Sequence, residues 1–461
     1  MRRTTITAAA IIALTLCSCN NFLNVQPQGY VLPSSDEEFA SIMHSILRDI
    51  EGGGDEFIVG NMETVIRLES CSDNLDANVS LGKNLPSYAG EVINTMQLRY
   101  RSFWPLVKDC NIVIENLEGR DGATARAALA SAYAVKGILY YNLMRDYCEP
   151  WDEGRQNSQL GLPIVERFDI DARPLRSSLA ETAEYMLSLM DRALALEPRD
   201  ELFLFTEWVV KAYKAKMLFW TEDWAACSVL CSDILGNSGF GLTDTEGYAR
   251  MINSENEPLG EVMIRSHVNN SSELDWYFSA IRKYLSTRPA AASLVRLYGD
   301  EPEKDVRYPA SLDSRRMNTK TVEAKLRLSE ILLMHAECEY HLGHHQSALD
   351  DINLLRANRI YGAAELNLNE LEPVRENDRI REDALGNPIS PLLQLIFDER
   401  RKEFFAEGDR WYELKRNGRP EWWVISNGFK YTTRQYLYTA PIYRSDIENV
   451  PGMIQNEGYE K

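Results

Sequence analysis

After its first residues this chain has no long hydrophobic run, so nothing downstream offers the roughly twenty apolar residues a membrane-spanning helix needs. Positive charge is also short: 50 Lys and Arg stand against 69 Asp and Glu, a formal net charge of −19 over 461 residues. No basic stripe offsets that balance, which excludes a nucleic-acid partner because phosphate repulsion would go uncompensated. The 8 cysteines form no Cys-x-x-Cys pair. Nucleophile elbows, phosphate loops and dinucleotide fingerprints are missing as well. The Gly52-Gly53-Gly54 run lacks the Lys and Ser/Thr of a phosphate loop. Carboxylates are plentiful, but no pair is marked by its context as the acid and base of a glycosidase. No catalytic residue, metal or cofactor is therefore expected.

What is present begins with ordinary globular composition, 44% hydrophobic and 26% charged, with room for a large core. Met1-Arg2-Arg3 followed by an apolar run at 6–16 has the order of a secretory signal, too short to span a bilayer. Leu16-Cys17-Ser18-Cys19 resembles a bacterial lipobox. The resemblance implies that residues 1–18 are removed and that Cys19 becomes the lipid-bearing N-terminus of a mature domain spanning 19–461. The alternative is an ordinary signal peptide with incidental cysteines. Several acyl chains on one cysteine hold a protein on a membrane surface without inserting it. Cleavage also removes Arg2 and Arg3, taking the formal charge from −19 to −21. Cys71, Cys110, Cys148, Cys227, Cys231 and Cys338 read as small buried hydrophobes, with disulfides left open.

Residues 20–33 read as a docking tether with Phe22 and Leu23 as anchors. Ser34-x-x-Glu37 is a capping box for a helix to about Arg48, and 51–55 is a flexible break. Residues 70–100, rich in Ser, Asn, Asp and Gly, read as loops and as an early place to seek a site. Helical spacing then predicts pairs near 103–147, 179–236 and 327–358, the second opened by a Ser178-x-x-Glu181 box. Residues 237–325 lose that period and read as an irregular insert with a strand at 261–264. Ala215 and Cys227 lie twelve apart across one turn, and Ala336 and Ala348 twelve apart across another. Twelve is the spacing of small residues in a tetratricopeptide-like hairpin. The expected fold is mostly α: helical hairpins displaying a loop-rich, ligand-facing insert.

The stretch Asp398-Glu-Arg-Arg-Lys-Glu-Phe-Phe-Ala-Glu-Gly-Asp-Arg-Trp-Tyr-Glu-Leu-Lys-Arg-Asn-Gly418 reads as a packed corner laced with ion pairs. Leu393, Ile396, Phe397 and Phe404 share a helix face, with Arg400, Arg401 and Lys402 mostly off it. Gly408 breaks the helix and Asp409 can cap the next one. The same stretch resembles the C-terminal signature of the SusD/RagB family. Cys19 with Asn21-Phe-Leu-Asn-Val-Gln-Pro27 resembles that family's mature start. Further matches, in order, are 132–147 running into Gly161-Leu-Pro-Ile164, Arg327-Leu-Ser-Glu-Ile-Leu-Leu-Met-His-Ala-Glu337 with Asn353 and Arg356, and Pro441-Ile-Tyr-Arg-Ser-Asp-Ile447. The resemblance implies a non-enzymatic lipoprotein, lipid-anchored on the outer membrane at the cell surface. It would capture a nutrient, usually an oligosaccharide, and pass it to a SusC-like TonB-dependent transporter. A peptide binder of the same architecture and a surface-anchored glycosidase are the alternatives.

A sugar platform needs flat aromatic faces with amides and carboxylates beside them. Trp276, Tyr277 and Tyr284 in the insert, and Tyr88, Asp73 and Asn74 in the 70–100 region, are the expected ligand contacts. They are carried over from the family by region, and satellite core is the competing reading of the aromatics. Trp104, Trp208, Trp220, Trp224 and Trp411 fall at core spacing. His341-x-x-His344-His345 invites a metal reading, but its place at a helix C-terminus suits the helix dipole better. His335 falls on an apolar face as a core histidine.

Overall fold

The computed structural model describes residues 33–76, 88–169, 171–253, 260–266, 285, 288–426 and 428–459. Cys19 and the tether at 20–32 lie outside these residues, as do Trp276, Tyr277 and Tyr284. Helix α1 (Asp36–Glu51) opens on a capping box in which Ser35 Oγ accepts from the Glu38 N–H and the Glu38 carboxylate accepts from the Ser35 N–H. The box expected at Ser34 and Glu37 is displaced by one residue. The reason is reach: Glu38 accepts the N–H groups of both Ser34 and Ser35, at 2.6 and 3.1 Å. Beyond Gly52 the Asp55 carboxylate collects the N–H groups of Phe57, Ile58, Val59 and Gly60, turning the chain into α2 (Met62–Cys71).

Residues 70–100 are not one loop, contrary to expectation. α3 spans Ala89–Leu117 and puts Ile93, Met96, Tyr100, Phe103 and Val107 into the core. Interspersed polar residues dilute the period over its first half. Pro105, a residue type favoured at helix starts, sits in the interior instead and makes 103 look like a beginning. α4 (Ala123–Tyr147) is buried on almost every side, packed between α1, α3 and the later α5. Strands β1 (Leu160–Pro163) and β2 (Arg176–Ser178) pair antiparallel, and Ser178 and Glu181 form the expected capping box of α5 (Leu179–Ala195). α6 (Glu207–Trp220) and α7 (Trp224–Asn237) form the next hairpin. Cys227 Sγ lies 3.3 Å from the Ala215 carbonyl oxygen, so the small residues mark where these two helices come closest.

Among its described residues the insert has short elements, including α8 (Tyr248–Asn253), β3 (Val262–Arg265), α9 (Ala292–Val295) and α10 (Arg307–Ser311). β3 pairs antiparallel with β4 (Lys325–Arg327), which runs directly into α11 (Leu328–His341). The strand read at 261–264 is therefore real, and it ties the insert to the helical stack. α12 (His345–Ala357) packs on α11 with Ala336 and Ala348 both fully buried. α11 also packs on α6, α7 and α13 (Pro391–Glu403). α14 (Arg410–Arg416), a hairpin of β5 (Trp422–Ser426) and β6 (Phe429–Thr433), and α15 (Arg444–Asn449) complete the chain. Among the described residues no helix is long and apolar enough to cross a membrane. Cys71, Cys110, Cys148, Cys227, Cys231 and Cys338 are free and buried.

The corner around α13 and α14 is laced with ion pairs, as its composition predicts, but it is far drier than expected. Arg400, Arg401 and Lys402 are each less than a tenth exposed although they lie off the apolar face. Their partners are inside with them: Asp409 for Arg400, Asp73 for Arg401, and Glu399 with Asp305 for Lys402. Deeper still, Glu403 accepts from Arg327 at 2.7 Å, Arg359 at 3.0 Å and Arg307 at 3.3 Å. Burial alone would raise the Glu403 pKa, but Arg359, Arg327 and Arg307 hold it well below the carboxylate range. Asp409 makes no side-chain cap on α14, because its carboxylate is taken by Arg400. Gly408 has φ +81°, and a Cβ there would meet Leu68 at 3.1 Å, so the break needs glycine on both counts.

Candidate ligand-binding region

Two stretches proposed as ligand-facing, one near 73 and one in the insert, are far apart in sequence. The fold sews their described edges together. Leu75 and Ala290 form an isolated antiparallel bridge; the Asp76 N–H donates to the Pro289 carbonyl at 2.9 Å and the Ala291 N–H to the Asn74 carbonyl at 2.7 Å. The Arg288 guanidinium donates to the carbonyls of Asp76, Leu75 and Ser70. Arg316, in the left-handed region at φ 64°, bonds both the Asp76 carboxylate and the Ala290 carbonyl at 2.8 Å. Residues 72–76 and 288–293 thus form one ledge.

Asp73 and Asn74 support this ledge from beneath rather than offering polar groups to solvent. Arg410 clasps the Asp73 carboxylate at 2.8 and 3.1 Å. Arg401 donates to Asn74 Oδ1 at 2.9 Å, to the Asp73 carbonyl at 2.8 Å and to Ser293 Oγ at 3.2 Å. Asn74 Nδ2 in turn donates to Glu69, which also accepts the Gly408 N–H. Burial pushes the Asp73 carboxyl up, but Arg401 and Arg410 outweigh it and keep the group ionised far below its usual range. The Asp73 side chain is 7% exposed and Asn74 1%, so neither side chain reaches the surface as expected. The sequence shows their polarity; only the fold shows that arginines of α13 and α14 consume it.

Tyr88 remains at the surface. It precedes α3 without capping it, and its half-exposed ring stacks on Tyr431 of β6 with centroids 3.8 Å apart and planes at 19°. Tyr431 sits opposite Val424 in the β5–β6 hairpin. The same hairpin exposes Trp423 and Ile425 on its other face and Phe429 at its tip, at 53%, 54% and 67%. Lys430 Nζ lies 5.0 Å from the Trp423 ring. The sequence reading passed over this ribbon. Its signal is Trp-Trp-Val-Ile-Ser followed by Asn427-Gly428 and Phe-Lys-Tyr-Thr-Thr, a hairpin pattern.

The other singled-out residues are structural here. Trp220, Trp224 and Trp411 are buried, and Trp104 and Trp208 pack half-buried on the core. The histidines near 341 diverge: His341 stacks on Trp224 at 4.3 Å, His345 stacks on Tyr340, and His344 meets Glu339. Among the described residues no group of three or more His, Cys, Asp or Glu is placed to hold a metal ion. His335 is held by Asp351 at 2.6 Å and Ser232 at 2.9 Å. A polar cleft of about 500 Å³ between 150–159, 382–386 and 415–419 includes Glu222, whose carboxyl burial pushes up to about 8.

The SusD family model matches residues 302–459, which include α11, α12, α13 and α14. Over most of its length the chain resembles SusD-like protein P38 of Formosa agariphila, at 22% identity covering 90% of this chain and 91% of that one. A SusD superfamily protein from Bacteroides thetaiotaomicron superimposes with a TM-score of 0.71, 17% identity, and coverage of 92% of this chain and 100% of that one. The C-terminal third of the chain is thus similar to the SusD family. Surface glycan-binding protein A from Bacteroides fluxus shares the fold, with a TM-score of 0.64 and 16% identity over 93% of this chain and all of that one. At such identities the superpositions establish the SusD-like helical fold and not the ligand.

Proposed function

We propose that this chain is a SusD-family glycan-binding lipoprotein of the outer-membrane surface that hands its ligand to a SusC-like TonB-dependent transporter and does not cleave it. The observation that carries this reading is the ledge at 72–76 and 288–293. It brings together the edges of the two sequence regions nominated for ligand contact, on a rigid ion-paired base. A preorganised base is what a binding surface needs to avoid ordering costs at the moment of capture. Support also comes from relatives of this fold: one is named as a surface glycan-binding protein and another as a laminarin-binding SusD-like protein. In this reading Tyr88 presents a ring to the C–H face of a sugar, and Trp276, Tyr277 and Tyr284, placed from sequence alone, supply further rings. Cys19 carries the lipid.

Calorimetry or affinity electrophoresis against a glycan panel tests the proposal. The expected result is binding of at least one oligosaccharide without release of shorter products, weakened about tenfold by Tyr88→Ala or Trp276→Ala. Binding of peptides with no response to any glycan would overturn the carbohydrate assignment. Recovery of the full-length lipoprotein from membranes without any TonB-dependent barrel would overturn the delivery role.

A further inference from the structure

Three helices of the stack bring a serine, a histidine and an aspartate into contact in that order. Ser232 comes from α7, His335 from α11 and Asp351 from α12. Ser232 Oγ lies 2.9 Å from His335 Nε2, and His335 Nδ1 lies 2.6 Å from the Asp351 carboxylate. An ionised carboxylate only accepts, so in the neutral ring Nδ1 carries the proton. Nε2 is then left to accept from the Ser232 hydroxyl. The contacts that tie these helices together therefore also set a base against a hydroxyl, with a third group orienting the base. That is the arrangement that activates a serine nucleophile, and it is recognised by geometry rather than by place in the chain.

Access differs along the set in the way such chemistry needs. Ser232 is exposed, whereas the side chains of His335 and Asp351 are only 12% and 15% exposed. Val229, one turn before Ser232 on α7, and Leu354, one turn after Asp351 on α12, are exposed as well and put aliphatic surface beside the hydroxyl. Burial lowers the His335 pKa, but the hydrogen bond and charge of Asp351, with Glu339 adding to them, outweigh it and raise the value. Two features limit what Ser232 can attack. It lies within α7, so its own N–H belongs to the helix ladder and does not serve an oxyanion. The Glu339 carboxylate, 3.9 Å from His335 Nε2, opposes negative charge developing nearby. Only an ester with a good leaving group suits such a site.

We propose that Ser232 is a covalent acyl-acceptor site, taking one acyl group from an activated aryl ester. Ser232 Oγ forms a bond to the ester carbonyl carbon, and the bond from that carbon to the phenolic oxygen breaks. The hydroxyl proton passes to His335 Nε2 and then to the departing phenolate, and nothing is oxidised or reduced. His335 is the base and Asp351 a positioning residue. The site is independent of the glycan reading.

Peptide-mapped mass spectrometry of the folded chain during reaction with p-nitrophenyl acetate is the test. Acetyl is expected on Ser232 well before it appears on Ser188, an exposed helical serine whose hydroxyl donates to the Tyr185 carbonyl. That comparison uses the unaltered chain, so it holds whatever a substitution does to folding. His335→Gln should slow acetylation of Ser232 about a hundredfold, and Tyr88→Ala should leave it unchanged. The rate should rise with pH as His335 loses its proton. Asp351→Asn removes the charge that raises the His335 pKa, so the midpoint of that rise should move to lower pH. Acetylation of Ser232 no faster than of Ser188, or a rate indifferent to His335→Gln in a chain of unchanged melting temperature, would overturn the proposal. A midpoint unmoved by Asp351→Asn would overturn the positioning role.

Discussion

In the corner built by α13 and α14, Arg307, Arg327 and Arg359 are almost entirely buried, and Glu261, Glu399 and Glu403 meet them there. At Tyr88 and the β5–β6 hairpin, aromatic rings and Lys430 stand at the surface instead. The two settings use overlapping residue types to opposite ends. A buried guanidinium matched by carboxylates has its bonding capacity spent and serves the fold. A surface ring keeps its capacity for something that arrives later. Solvation therefore separates support from site on this molecule, and residue type alone does not.

The sharpest way to break the contrast is Glu403→Gln, which leaves three buried guanidinium groups facing a neutral amide. A loss of about 3–5 kcal/mol in urea unfolding is expected; a loss under about 1 kcal/mol would mean that the corner does not hold the fold. Acid titration probes the same corner. Burial raises the Glu407 pKa, but Arg327, Lys320 and Lys325 outweigh it and bring it from 4.5 down to about 2. A carboxyl with a depressed folded pKa contributes stability that is complete above its unfolded value and is lost as pH falls toward the folded one. Stability should therefore fall between about pH 4.5 and 2, and Glu407→Gln should flatten that decline. At the surface, Tyr88→Ala should cost glycan affinity about tenfold, near 1.4 kcal/mol, while its chemical unfolding midpoint stays close to the parent's. Smallest of all, Trp423→Ser on the exposed hairpin face should change folding stability by less than about 0.5 kcal/mol. A larger loss there would show that the ring packs on something in solution.

Much of the fold was legible in the chain. The helix pairs near 179–236 and 327–358, the Ser178–Glu181 box and the two twelve-residue spacings all follow from local periodicity, and the structure keeps them. The first half of α3 was not legible, because its apolar residues are diluted by polar ones and Pro105 imitates a start. Asp409 looks like a cap by position, yet Arg400 takes its carboxylate. Asp73 and Asn74 look like ligand contacts by composition, yet arginines more than three hundred residues later consume them.

By itself, then, the sequence determined the helical hairpins and the ion-paired character of the corner, since each rests on residues within a few turns of one another. Tertiary structure alone decided which polar groups are spent and where residues 72–76 meet 288–293. Those outcomes depend on long-range burial and pairing, and local spacing contains no information about which distant charge will arrive to neutralise a given one.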